Sequence, residues 1–85
     1  MATTITINKI DYGNPASGPQ TWTIKYKKSD AISFTTKTTS ATDDGAGTLL
    51  SPVVINGLVS GGLYYVQATN NCQSPVEIYQ QAIQL

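Results

Sequence analysis

The sequence predicts an all-β fold: a two-sheet antiparallel β-sandwich of roughly six to seven strands. Three observations carry that expectation. Short runs alternate apolar and polar residues, the period of a half-buried strand. Thr, Ile, Val and Tyr supply 30 of the 85 residues, and β-branched and aromatic side chains suit a pleated surface. Gly, Pro, Asn and Asp punctuate the runs at strand-length intervals. A chain of 85 residues is expected to form one domain over residues 1–85.

The elements follow in order. Thr3 to Tyr12 alternates Ile5 and Ile7 with Thr, breaks at Asn8-Lys9 and resumes at Ile10. A bulge at the break lets the buried face switch. Gly13 to Gln20 holds two Gly and two Pro and reads as a loop. Thr21 to Lys28 shows the clearest alternation: Trp22, Ile24 and Tyr26 on one face, Thr23, Lys25 and Lys27 on the other. Lys28 to Ala31 forms a turn, and Ile32 to Thr39 completes a hairpin with Ile32 and Phe34 expected inward.

Thr42 to Gly47 reads as a loop, because Asp43 and Asp44 bond their own backbone and Gly45 accepts positive φ. Val53 to Ile55 is a short apolar strand, followed by the turn signals Asn56-Gly57 and Ser60-Gly61-Gly62. Leu63 to Asn70 alternates Tyr64, Val66 and Ala68 against Tyr65, Gln67 and Thr69. Residues 74–85 fit two patterns. Ser74, Pro75 and Glu77 resemble a helix start, while Val76, Ile78, Gln80 and Ala82 alternate as a strand. The strand-like runs before them favour a closing strand.

Composition narrows the function. Five Lys balance five acids, and the chain has no Arg, which argues against nucleic acid or an anionic membrane as partner. With no His, the commonest general base and metal ligand are missing. The single Cys72 has no neighbouring base to activate it as a nucleophile. No run approaches the roughly 18 apolar residues of a membrane span, so membrane insertion is not expected. Met1 to Thr4 shows no basic start of a signal peptide.

Ile55-Asn56-Gly57-Leu58, Ser60-Gly61-Gly62 and the alternation Tyr64, Val66, Ala68 together resemble the fibronectin type III domain. In that family an apolar residue and Gly-Leu end strand E, and a Tyr follows the turn at the spacing of Leu58 to Tyr64. Trp22-Thr23-Ile24-Lys25-Tyr26 is similar to its strand C. Shared parity on the alternating strands predicts one buried cluster of Trp22, Ile24, Tyr26, Ile55, Tyr64 and Val66, and the resemblance adds Leu58 to this core. The resemblance also implies that Tyr64 forms a corner, its ring in the core and its hydroxyl on nearby backbone. The family's Trp of strand B is missing, and too little chain precedes Thr3 for a full strand A. Strand A is therefore expected to be short or missing, with an exposed edge on the next strand.

Asp43 and Asp44 are the only candidates for a cation, and they fall short of the six to eight oxygens that Ca²⁺ takes. No metal, cofactor or catalytic site is expected, and the chain is not expected to be an enzyme. Thr23, Lys25, Tyr65, Gln67 and Thr69 form a candidate interaction surface on adjacent strands. The expected partners are other protein chains, including a second copy through the exposed edge strand; carbohydrate is a further ligand class. The resemblance extends to fibronectin-like modules on phage heads and tails. It implies a structural or decoration protein of a bacteriophage, located in the virion or outside the cell. An accessory spacer or carbohydrate-binding module of a bacterial extracellular protein is the alternative.

Overall fold

The structure is a computed structural model that describes residues 3–10, 19–70 and 77–85. It contains six strands: β1 (Ile5–Lys9), β2 (Thr21–Lys28), β3 (Thr35–Thr42), β4 (Thr48–Ile55), β5 (Leu63–Asn70) and β6 (Glu77–Gln84). They form two sheets, β1-β4 and β3-β2-β5-β6, with every pairing antiparallel. No helix occurs among the described residues. The first described strand pairs with β4, and no strand lies on its other side among the described residues.

The alternation in β2 and β5 sets the core. Trp22 and Ile24 are fully buried, with Tyr26 partly buried against them. On β5, Tyr64, Val66, Ala68 and Asn70 are buried while Leu63, Tyr65, Gln67 and Thr69 are half-exposed. Ile5, Ile10, Leu49, Val53, Ile55 and Leu58 cover this face from the smaller sheet and its flanks. The core set expected from the alternation therefore assembles as one cluster.

The β1–β4 register is irregular where the alternation breaks, with the extra residues on β4. Pairing jumps from Ile7↔Val53 to Lys9↔Thr48, which lets Ile5 and Ile10 both be buried despite opposite parity. The same jump loosens β4, and the exposed Pro52 lies inside it. A strand tolerates proline at such an irregular point because no regular ladder bond is lost. This corrects the expectation of a strand confined to Val53–Ile55.

Two other expectations are corrected. Ile32 is fully solvent-exposed, and Phe34 is only half-buried and lies beside Lys27 rather than in the core. The hairpin connection runs through Phe34, and β3 begins at Thr35. Residues 77–84 form a strand along β5, so the helix-start pattern does not prevail there. An eight-residue partner with matching register satisfies a whole row of backbone groups, which an isolated short helix cannot match. Tyr12, Cys72, Ser74 and Pro75 lie outside the described residues.

Candidate functional site

The outer face of the larger sheet carries the polar and aromatic residues read from the alternation. Lys25 pairs with Gln67 across β2 and β5, and Gln67 Nε2 donates to Gln80 Oε1 on β6 at 3.4 Å. In the next row Lys27 pairs with Tyr65. The Lys27 ammonium stands 5.5 Å from the Tyr65 ring centroid and 5.6 Å from that of Phe34, and donates to the Ala31 carbonyl at 3.1 Å. Ring quadrupoles attract a cation at this range, so the lysine holds the hairpin connection against the sheet. Lys28 makes a 3.6 Å ion pair with Asp30 at the same exposed end. Exposure limits such a pair to about 0–1 kcal/mol.

The structure brings Lys25, Tyr65, Gln67 and Thr69 onto one half-exposed face and removes Thr23 from it. Thr23 pairs with Thr69, yet only 9% of its surface is accessible. It sits on a central strand, where the β3 register jumps from Trp22↔Ala41 to Ile24↔Thr38 and crowds the position with an extra residue. Phe34, Lys27 and Gln80 take part in the surface, though the alternation put Phe34 inside and placed Gln80 on the closing strand without a surface role.

Asp43 is fully buried and is a structural hub. Its Oδ1 accepts from the Gln20 backbone N–H at 3.0 Å and the Gly45 N–H at 2.8 Å, and its Oδ2 accepts from Trp22 Nε1 at 3.0 Å. Gln20 in turn accepts from Asn70 Nδ2 at 2.9 Å. The chain of bonds ties the ends of β2, β3 and β5 at one end of the sandwich. A buried Trp needs a partner for its N–H, and this requirement is the signal that points to Asp43. Asp44 Oδ1 accepts from the Ala46 and Thr48 N–H groups. Both aspartates thus aim carboxylate oxygens at backbone donors, as the turn reading expected.

Tyr64 forms the expected corner. Its ring is buried and its hydroxyl accepts from the Val59 N–H at 2.9 Å. Gly61 adopts φ +80°, a region open to glycine, and a Cβ on Gly62 would stand 3.1 Å from the Tyr64 ring.

Two grooves open along the sides of the sandwich. One of about 560 Å³ lies between β3 and β4, lined by Lys37, Thr38, Leu50, Ser51, Pro52 and Val54. The other, of about 340 Å³, lies between β1 and β6. Among the described residues no three Asp, Glu, Cys or His side chains cluster as a metal site. Comparison with protein-family models, with curated proteins and with solved structures found no match.

Proposed function

We propose that the chain is a non-catalytic structural and interaction module of fibronectin type III-like design, serving as a virion-associated or decoration protein of a bacteriophage. The observation that supports the module reading is the strand pairing, β1 with β4 and β3-β2-β5-β6, together with the Tyr64 corner; the virion role rests on the resemblance alone. That pairing is what the resemblance implies for these six described strands. The interaction role is supported by an outer face that combines Lys25 and Lys27 with the Gln67 and Gln80 amides and a half-exposed Tyr65. Such a fold supplies a scaffold, and its surfaces supply the function.

The Gln67–Gln80 amide pair and Tyr65 in the next row support a second reading, a carbohydrate-binding module, because amides and a ring suit sugar hydroxyls and their apolar faces. Mass spectrometry of purified virus particles from the source of the gene tests the first reading. The chain is expected among the particle proteins; its absence there, with glycan binding lost in Tyr65→Ala, would favour the second.

A further inference from the structure

The two sheets differ in width, and the difference falls on one side. The larger sheet ends in β6, while the smaller sheet ends in β1. Between them the groove of about 340 Å³ runs from Ile7 and Ile10 on the β1 side, across Ile24, Val66 and Ala68, to Ile83 on β6. Its floor is the core itself, and Ile7 and Ile83 remain half-exposed on its flanks. The β1 strand has no second neighbour among the described residues, so its outward N–H and C=O groups face this opening. Two of the other edges are blunted: Pro52 interrupts β4, and β3 carries Lys37. The remaining edge, β6, borders the same groove.

We propose that this groove accepts one extended strand from a partner protein, added to β1, with apolar β-branched residues at alternate positions and a carboxylate that meets Lys9. The proposal rests on the interaction-module reading and names the kind of partner. Strand addition supplies both parts of the recognition: backbone bonds to the β1 edge, and alternate side chains on Ile7, Ile10 and Ile83. Charge selects the occupant. Among the described side chains Lys9 is the one charged group lining the groove, and it is exposed.

Geometry excludes a second copy. A copy pairing through its own β1 would bring its four-stranded sheet beneath that strand, where β6 of the first chain already lies. Two β-layers sit only about 10 Å apart, so a third layer has no room. The occupant is a lone strand, with nothing attached below it.

The test uses the full chain and a synthetic peptide, acetylated and amidated, of sequence Glu-Val-Thr-Val-Thr-Val. Antiparallel addition puts its glutamate beside Lys9. A control peptide carries lysine in place of glutamate. Backbone amide shifts on titration are expected in Ile5–Ile10 and in Gln81–Ile83, with the control binding more weakly. Ile7→Lys should weaken binding roughly tenfold or more, the effect of removing one aliphatic contact. Lys9→Glu, on an exposed side chain that leaves folding intact, should reverse the preference between the two peptides. Shifts absent at about 1 mM peptide, the weak limit of useful affinity, would overturn the proposal. So would shifts on another face, an unchanged preference in Lys9→Glu, or light scattering that shows a dimer abolished by Ile7→Lys. Particle composition tests the module's location independently, so failure of the groove is distinguishable from failure of that reading.

Discussion

Replacing Asp43 removes the acceptor on which one end of the sandwich converges. In Asp43→Ala the Trp22 indole N–H stays buried without its carboxylate, since Trp22 is 1% exposed. A buried donor left unpaired costs about 1–3 kcal/mol. The Gln20 and Gly45 N–H groups are only part-buried, so water recovers much of their loss and each adds about 0.5–1 kcal/mol. The expected total is about 2–5 kcal/mol, a large share of the roughly 5–10 kcal/mol available to a domain of this size. Asp43→Asn keeps one acceptor oxygen but sets an amide against a donor, so about 2–3 kcal/mol is expected. Urea unfolding followed by far-UV circular dichroism reads both. A cycle with Trp22→Phe isolates the side-chain pair, with a coupling of about 1.5–3 kcal/mol expected for a charge-assisted bond. A loss below about 1 kcal/mol in Asp43→Ala, or additive effects in the cycle, would refute the hub.

Three further outcomes follow from the same geometry. Tyr64→Phe deletes the acceptor for the Val59 N–H and should cost about 1 kcal/mol, against about 3–5 kcal/mol for Tyr64→Ala, both read as shifts in urea midpoint. Gly61→Ala forces a Cβ into the φ +80° region and should cost about 1 kcal/mol without any clash, since nothing lies within 4 Å of that Cβ. Ile32→Ser should change stability by less than about 0.5 kcal/mol, because the side chain is wholly in water; a larger loss would put Ile32 back in the core.

The parts legible in the sequence are those where one face is apolar and the other polar. β2 and β5 met that condition, and the inward residues Trp22, Ile24, Tyr64 and Val66 were recoverable from parity alone. β3 did not. Its run of Thr, Lys and Ser offers no apolar row, and two register breaks destroy the parity that would have excluded Phe34 from the core. Pro52 hid the start of β4, since proline argues against a regular strand and only the irregular pairing with β1 admits it. The candidate surface was legible in four of its five residues; Thr23 failed because crowding by a bulged neighbour is not encoded in its own alternation. Asp43 was read as a turn former, which its bond to Gly45 shows it to be, but its bond to Trp22 joins distant segments. The groove beside β1 depends on which strands pair, and the pairing of β6 with β5 is not encoded in the alternation of either strand.

Residue-resolved amide hydrogen exchange tests the central claim, a sandwich whose first strand keeps one side open. β5 is flanked by β2 and β6, so its amides should be protected along its whole length. Among the described residues β1 is paired only with β4, so protection within Ile5–Lys9 should alternate, slow for amides bonded to β4 and fast for those facing the groove. Uniform protection across β1 in the free monomer would contradict the account, because it would mean that the edge is already covered.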